Sequence, residues 1–291
     1  MSPDAWRARG RRVRALDRDL FVVDDGPRER PTVLLLHGFP TSSWDWAPMW
    51  PELEQRYRVV AFDFVGFGFS EKPPGRVSVQ LQADVTEALV ASLGLGRHHV
   101  LAHDYGDTVA QELLARDRER REPRIASALF LNGGLFPETH RARPIQRLLA
   151  TPLGPTLSRV LGRGTFGRRF SEVFGPNTKP SREELDAFWG IISENGGRRI
   201  FAGAIGYMAE RVEQRARWVG ALTHARCPLG LINGSLDPVS GAHMVARYRE
   251  VVGEHQPDTF FEALPDVGHY PQWEAPEATL RAFHRFLENI A

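Results

Sequence analysis

The chain has 291 residues and a formal net charge of +1 at pH 7. Hydrophobic residues make up 42% of it and charged residues 25%, a globular composition that excludes a disordered tail. Because 37 basic and 36 acidic residues nearly cancel, no overall field attracts nucleic acid or an anionic membrane, and we expect neither as a partner. One cysteine, Cys227, excludes an intramolecular disulfide and suits a reducing compartment.

Two further absences bear on the location of the protein. No segment approaches the roughly 18 consecutive apolar residues that a membrane helix needs. Residues 1–14 are basic but lack the apolar stretch of a secretion signal. Together these features predict a cytoplasmic protein.

The first half of the chain alternates short apolar runs with helical patterns. Helical spacing of apolar residues predicts helices over 77–93 and 108–116. The apolar runs predict strands at 32–36, 58–62, 99–102 and 125–131. Strand, helix, strand, helix at this spacing indicates a parallel sheet with right-handed crossovers.

The pattern changes after residue 132. Residues 133–221 contain helical segments broken by Pro and Gly at 151–155, 162–167 and 175–180, and no convincing strand. The pattern then predicts strands at 228–232 and 259–261, with helices at 241–252 and 276–290. We therefore predict an α/β fold whose core, 1–132 and 222–291, is a mostly parallel central sheet flanked by helices, with 133–221 inserted as a helical cap.

Polar residues follow the predicted strands, where parallel sheets bind ligands beyond the carboxyl ends of their strands. Asp104 follows a strand and opens a helix, with the small residues Ala102 and Gly106 two positions away on either side. This spacing is typical of a nucleophile elbow. Helix capping is the alternative interpretation for Asp104, and it is the one we prefer for Asp107.

Two later strand ends complete a candidate triad. Asp237 follows the strand at 228–232, and His269 follows the strand at 259–261. The order nucleophile, acid, histidine along the chain is typical of hydrolases whose nucleophile lies on a turn between a strand and a helix. The backbone amides of Phe39 and Tyr105 are the expected oxyanion donors. His37, Pro40 and His103, which adjoin them, are expected to shape the substrate pocket.

These motifs resemble the α/β-hydrolase fold, and within it the branch of epoxide hydrolases and haloalkane dehalogenases. The segments 37–40 and 103–106 are especially similar to epoxide hydrolases. A closer resemblance, which runs across nearly the whole chain, is to the mesoderm-specific transcript family. The stretches that carry it are 103–107, 109–114, 132–134, 136–141, 173–176 and 218–222. The resemblance implies a hydrolase, without naming its substrate.

A carboxylate nucleophile suits attack on an sp³ carbon. Serine would form an ether, which water does not cleave at a useful rate, whereas Asp104 would form an ester that activated water hydrolyses. His269, oriented by Asp237, would then take a proton from water. We therefore expect an epoxide hydrolase acting on a small apolar epoxide with water as co-substrate, and no metal or cofactor.

Opening an epoxide requires a proton donor for the departing oxygen. Epoxide hydrolases resemble one another in using tyrosines of the cap, usually two. Residues 133–221 contain only one, Tyr207, in a segment, 201–212, that predicts a helix. Tyr207 is thus the candidate acid, with a packing role as the alternative, and His140 is a possible second donor.

Three other functions remain open. Haloalkane dehalogenases present a Trp after the nucleophile and a second Trp or Asn for halide, whereas this chain has Tyr105 and Phe39 at those places. Tryptophans that fold inward would have to substitute, the candidates being Trp44, Trp189 and Trp218, of which we predict the last two to lie at the pocket. Hydrolysis of another ester or lactone, and a binding protein without turnover, are the remaining alternatives.

Overall fold

A computed structural model describes residues 1–290, which form a twisted sheet with helices on both faces. The strand order is β1-β2-β4-β3-β5-β6-β7-β8. β2 is antiparallel to both of its neighbours, and the pairings from β4 through β8 are parallel. The strand bounds are β1 Arg11–Ala15, β2 Arg18–Asp25, β3 Thr32–Leu36, β4 Arg58–Phe62, β5 His98–His103, β6 Ile125–Leu131, β7 Leu229–Gly234 and β8 Phe260–Leu264.

The central strands form because their apolar runs are buried on both faces, as expected of parallel strands covered by helices. β3 and β4 are buried along their whole length. In β3, Leu35 pairs with Ala61 of β4 on one side and with Leu101 of β5 on the other. This register brings the carboxyl ends of β3 and β5 to one edge of the sheet.

The hairpin of β1 and β2 was not among the predicted elements. Leu16 and Asp17 make its turn at positive φ, 46° and 58°. β1 lies at the edge of the sheet and its arginines are exposed, so its sequence lacks the apolar run that marks a buried strand. In β2 the buried residues 20–23 did offer such a run.

Helices cover the sheet and fill the segment between β6 and β7. Their bounds are α1 Pro3–Arg9, α2 Trp50–Arg56, α3 Val79–Ser92, α4 Tyr105–Glu119, α5 Pro144–Leu149, α6 Gly154–Val160, α7 Arg163–Ser171, α8 Arg182–Ser193, α9 Ile200–Ala204, α10 Tyr207–Glu213, α11 Arg215–Thr223, α12 Ala242–Val251, α13 Pro271–Glu274 and α14 Pro276–Glu288. Within the described residues, the segment from α5 through α11 contains helices and no strand.

Two helical predictions in this segment differ from the structure. The glycines of 162–167 were expected to interrupt the helical structure. The helix α7 nevertheless runs through this segment, because Phe166 and Phe170, one turn apart, are both buried. The single helix expected over 201–212 is interrupted between α9 and α10, at Ile205 and Gly206.

A buried carboxylate joins the inserted segment to the sheet domain. Glu210 of α10 accepts hydrogen bonds from the Val79 amide at the start of α3, at 2.9 Å, and from the Arg76 guanidinium, at 2.8 Å. The orphan amide of one element is thus satisfied by a side chain of the other. Among residues 1–290, no helix combines the length and apolarity needed to cross a bilayer.

Candidate active site

Asp104 lies in a strained turn between β5 and α4. Its φ is 49° and its ψ −102°, outside the regions that non-glycine residues normally adopt. Although Asp104 occupies the N-cap position of α4, its side chain makes no capping hydrogen bond. Oδ2 instead accepts a hydrogen bond from the Phe39 amide at 3.0 Å. The geometry therefore disagrees with the capping alternative and agrees with an elbow.

Small residues allow this turn to form. A β-carbon at Gly106 would lie 2.3 Å from the Leu36 carbonyl oxygen, and one at Gly38 would lie 2.6 Å from His103 Nδ1. Both distances are too short for a side chain, so the loop after β3 and the start of α4 approach closely only because these residues are glycine. That approach brings the Phe39 amide to Asp104.

Asp237 and His269 form a hydrogen-bonded pair beside Asp104. Asp237 Oδ2 lies 2.8 Å from His269 Nδ1 and also accepts hydrogen bonds from Asn132 Nδ2 and the Ser240 amide, both at 3.0 Å. Its Oδ1 accepts from the Val239 amide at 2.7 Å. Burial by itself would raise the pKa of Asp237, but His269 and these donors hold that pKa below its ordinary value.

His269 is buried and directs its other nitrogen toward the nucleophile. Nε2 lies 3.9 Å from Asp104 Oδ1. Burial disfavours the imidazolium, yet the charge and hydrogen bond of Asp237, together with the charge of Asp104, raise the pKa of His269 to about 9. One imidazole thus faces two carboxylates, and its proton affinity depends on whether both are ionised.

Neighbouring groups hold the main chain around His269. The His103 Nε2 atom donates to the His269 carbonyl oxygen at 2.8 Å, and burial followed by the charge of His269 lowers the pKa of His103 to about 3. The carboxylate of Glu274 accepts from the Gly268 and Tyr270 amides on either side of His269, each at 2.8 Å. It also accepts from the Gly175 amide at 2.8 Å, which links the His269 loop to the inserted segment.

A buried arginine, Arg211 of α10, lies behind the elbow. Its Nη2 donates to the Asp104 carbonyl oxygen at 3.3 Å and its Nε to Thr108 Oγ1 at 2.8 Å. The guanidinium carbon stands 4.5 Å above the ring centre of Tyr207, and Nη1 lies 3.4 Å from His140 Nδ1. Burial and the charge of Arg211 lower the pKa of His140 to about 3.

Glu274 and Arg211 were not among the predicted site residues. Glu274 is one glutamate among many in the sequence, and its four acceptor contacts depend on a loop that is brought to it by the fold. The sequence held a weak sign of Arg211, which lies four residues after Tyr207, on the same face of a predicted helix.

The capping interpretation of Asp107 was wrong. Asp107 lies in the first turn of α4 but is completely buried, and neither of its oxygens has a hydrogen-bond partner among the described residues. Burial, followed by the charge of Asp104, raises the pKa of Asp107 well above its ordinary value. A fully buried acid with a raised pKa next to Asp104 is therefore part of the site's surroundings.

A cavity of about 110 Å³ reaches Asp104 and His269 from the inserted segment. Its wall is mostly apolar, and it includes Phe39 and Pro40, of which Pro40 was expected to shape the pocket. The other wall residues are Arg143, Ile145, Gln146, Leu149, Leu161, Thr165, Phe166, Arg169, Phe170, Val173, Phe201, Val239 and Tyr270. Arg169 and Thr165 are exposed, so the cavity opens to solvent at α7.

Several predicted pocket residues lie elsewhere. His37 is buried beneath the loop, where its Nε2 accepts from the Phe64 amide at 3.0 Å, and His103 holds the His269 carbonyl. Trp218 is buried against α4 and donates to Glu112 at 2.8 Å. Trp189 packs on Phe166, outside the wall.

Two aromatic predictions have mixed outcomes. Trp44 packs against Phe188 and Trp273, so no tryptophan lines the cavity in the described chain. Tyr207 is completely buried under Phe39, with ring centres 6.0 Å apart, and its hydroxyl accepts from Gln146 of the wall at 3.4 Å. Burial, followed by the charge of Asp104, raises the pKa of Tyr207.

The second expected oxyanion donor is the Tyr105 amide. Tyr105 is the first residue of α4, and the first amides of a helix have no acceptor within it. Its side chain packs on Phe64 and Tyr207, away from the cavity. Among residues 1–290, no three His, Cys, Asp or Glu side chains cluster as a metal site would require.

This arrangement of sheet, elbow, acid and histidine is that of one family. The model of the alpha/beta hydrolase fold family matches residues 31–276, and the chain belongs to that family. The chain is 42% identical to the mouse mesoderm-specific transcript protein over 267 residues, covering 89% of this chain and 79% of that one. It is 40% identical to the LipZ protein of Mycobacterium tuberculosis over 279 residues, covering 95% of each.

More distant similarities extend to named enzymes. Epoxide hydrolase 3 of Xenopus tropicalis is 24% identical over 293 residues, covering 91% of this chain and 74% of that one. The crystal structure of haloalkane dehalogenase DbeA from Bradyrhizobium elkani superposes with a TM-score of 0.79 at 24% identity, covering 97% and 98% of the two chains. The second similarity is one of fold alone.

Proposed function

We propose that this hydrolase attacks an sp³ carbon of a small apolar epoxide with Asp104 and releases the product by hydrolysing the resulting ester. The observation that carries the proposal is the environment of the Asp104 carboxylate. One oxygen accepts from the Phe39 amide, and the other faces an imidazole that is held by Asp237. These are the groups that formation and hydrolysis of an ester on Asp104 require.

The two oxygens of Asp104 have different surroundings, and this difference supports separate tasks. Oδ2 accepts the Phe39 amide at 3.0 Å, so that amide can stabilise the oxyanion that forms when water attacks the ester carbonyl. Losing one such donor costs about 2.7–4 kcal/mol of barrier. Oδ1 lies 3.9 Å from His269 Nε2, and a water that attacks Asp104 would be deprotonated by this nitrogen.

Tyr207 is the proposed acid for the departing epoxide oxygen. Its raised pKa keeps the phenol protonated at neutral pH, which a proton donor requires. Tyr207 is not part of the cavity wall, but its hydroxyl bonds to Gln146, which is. The hydroxyl would therefore contact substrate at the place that the Gln146 side chain now occupies. His140 lies next to Arg211 and is neutral, so it retains a ring proton to donate.

The cavity wall favours an epoxide over an alkyl halide. Haloalkane dehalogenases present tryptophan donors to the leaving halide, and no tryptophan of the described residues lines the wall. Hydrolysis of an ester or lactone would use the same residues but would leave no alkyl group on Asp104.

The proposal is tested by blocking the second half of the reaction. His269→Gln removes the base but leaves Asp104 free to attack, so the variant should accumulate one equivalent of substrate when incubated with styrene oxide. Peptide mass spectrometry would find the added mass on Asp104. His255→Gln, at an exposed histidine that does not line the cavity, is the matched control and should turn over as the wild type does.

The alternatives give different results in the same experiment. A binding protein without turnover would carry no adduct in either variant. A dehalogenase would form the adduct with 1-bromobutane and not with styrene oxide. An ester hydrolase would form no alkyl adduct from either compound, and any of these results would refute the epoxide assignment.

A further inference from the structure

The charges of the chain are strongly segregated. Residues 139–171 contain seven arginines and no aspartate or glutamate. This segment alone carries +7 in a chain whose formal total is +1, so all the other residues sum to −6. The near-zero net charge that led us to expect no membrane partner therefore conceals one strongly cationic surface.

Most of these arginines are available to an external partner. Arg143 and Arg169 share Glu172, and Arg163 pairs with Asp186. The remaining four are exposed and have no ion pair within the described chain, namely Arg141, Arg147, Arg159 and Arg168. Arg198 and Arg199 line a surface hollow together with Arg159, which extends the positive surface beside α6.

Aliphatic side chains are exposed among the same arginines. Leu148 is 43% exposed, Leu153 65% and Val160 72%. Leu153 and Val160 are seven residues apart, two turns of α6, so they point from one face of it. We call the surface formed by α5, α6 and the exposed arginines Arg141, Arg147 and Arg159 the cap face. Large exposed aliphatic residues rimmed by cations are typical of an interaction site rather than of a solvated helix.

The cap face adjoins the mouth of the substrate cavity. α5 and the residue after α6 contribute Ile145, Leu149 and Leu161 to the cavity wall, and each of these residues lies within three positions of the exposed Leu148 or Val160. A body that covered the cap face would therefore lie next to the entrance of an apolar cavity.

We propose that the cap face binds the surface of an anionic lipid bilayer. Arginines on the polar side and aliphatic residues on the other are the composition by which helices lie in a membrane interface. The aromatic residues of the segment, Phe166 and Phe170, are buried, so the face lacks the stacking platforms that single-stranded nucleic acid requires. An apolar substrate also partitions into lipid, and binding through the cap face would place the cavity mouth next to substrate that is dissolved in the bilayer.

This inference goes beyond the proposed chemistry and does not depend on it. Each arginine near an anionic surface strengthens binding about fivefold, which corresponds to ~1 kcal/mol. Flotation of the purified protein with vesicles of phosphatidylcholine, alone or with 30% phosphatidylglycerol, measures this directly. We expect at least tenfold stronger partitioning onto the anionic vesicles, and loss of the difference in about 0.5 M NaCl because salt screens exposed charges.

Two pairs of substitutions locate the contact. Arg147→Ser with Arg159→Ser should weaken partitioning about 25-fold, and Leu153→Ser with Val160→Ser should weaken it about tenfold. Arg12→Ser with Leu16→Ser, an exposed pair in the edge hairpin, is the matched control and should bind as the wild type does. Thermal unfolding of each variant establishes that it is folded.

The remaining outcomes each overturn the inference. If the wild-type protein did not bind anionic vesicles, the lipid surface would be excluded and an acidic protein would become the candidate partner of the cap face. Equal binding to both kinds of vesicle, or undiminished binding of both cap-face pairs, would exclude the cationic surface as the contact. Asp104→Asn should bind vesicles normally, so a failure of the proposed chemistry and a failure of the lipid surface are separate results.

Discussion

Asp104 has a backbone φ of 49°, which a non-glycine residue keeps only where its surroundings hold it. The sequence predicted a sharp turn at this residue, because Ala102 and Gly106 on either side leave room for it. The sequence also predicted that Phe39 would face it. It could not predict that Arg211, more than a hundred residues away, would donate to the Asp104 carbonyl oxygen, since that contact exists only in the folded chain.

The raised pKa of His269 predicts how the rate of ester hydrolysis depends on pH. With Asp237 and Asp104 both ionised, and against the effect of burial, that pKa is raised to about 9. Alkylation neutralises Asp104, so the pKa of His269 falls in the ester intermediate. Because only neutral His269 is a base, hydrolysis of the ester should accelerate with rising pH and level off below pH 9. Rapid-quench measurement of ester decay between pH 5 and 9 would record this rise.

Asp237→Asn provides the comparison for this pH profile. The substitution removes the charge that raises the pKa of His269, so the plateau should begin at lower pH, and its height should fall because the imidazole loses its orientation. Ester decay that stayed constant from pH 5 to 9 in the wild-type protein would rule out His269 as the base.

Tyr207→Phe separates the two chemical steps. If the phenol protonates the epoxide oxygen, its loss should slow formation of the ester about 10²- to 10⁴-fold while ester hydrolysis continues at its usual rate. Pre-steady-state quenching, which resolves the two steps, is the measurement. Tyr248→Phe, at a buried tyrosine that bonds to Thr259 instead, is the matched control. An unchanged rate of ester formation would show that Tyr207 is not the acid and has only a packing role.

At the scale of elements, the turn from β5 into α4 depends on Gly106. A β-carbon there would meet the Leu36 carbonyl oxygen at 2.3 Å, so Gly106→Ala should destabilise the fold by about 1–3 kcal/mol and reduce turnover as the elbow shifts. Gly190→Ala is the matched substitution, because Gly190 is an exposed interior residue of α8 with no atom nearby. It should stabilise the protein by about 0.5–1 kcal/mol. Urea unfolding measures both.

A different pair of results would contradict this account of the turn. Equal stability of the Gly106→Ala and Gly190→Ala proteins would mean that the backbone at the elbow has room for a side chain. The close approach of the β3 loop to α4 would then have another cause.

The elements that could be predicted from the sequence are those in which buried apolar residues follow a regular pattern. β3, β4 and β6 lie at the expected residues because apolar residues dominate each of them and are buried. β1 was missed because one edge strand of arginines has no such run. The helix α7 was missed because glycine weakens helices locally, whereas tertiary burial of Phe166 and Phe170 overrides that preference.

At the scale of the whole molecule, the site is assembled from segments that are distant in sequence. The order of Asp104, Asp237 and His269 at strand ends was enough to predict that they meet, because parallel strands share one edge. Pocket residues were harder to predict. Trp189 and Trp218 lie in the expected insertion, but each faces a neighbouring helix, and the direction of a side chain within a helical insertion is set by packing.

Contacts between the insertion and the sheet domain also escaped prediction. Glu274 binds the His269 loop and the Gly175 amide with one carboxylate, and Glu210 satisfies the first turn of α3. We propose that the insertion, 133–221, acts as a cap whose position these carboxylates maintain. In this account the cap supplies the apolar cavity and Tyr207, and the sheet domain supplies the nucleophile and base.

The central claim is that Asp104 becomes an ester and that water attacks its carbonyl carbon. A single turnover in H₂¹⁸O, with protein in excess over styrene oxide, tests this most directly. We predict that the Asp104 carboxyl gains one ¹⁸O, a mass increase found by fragmenting its peptide, while Asp107 in the same peptide stays unlabelled. Label found in the diol product and absent from Asp104 would mean that water attacks the substrate directly, and would contradict the account.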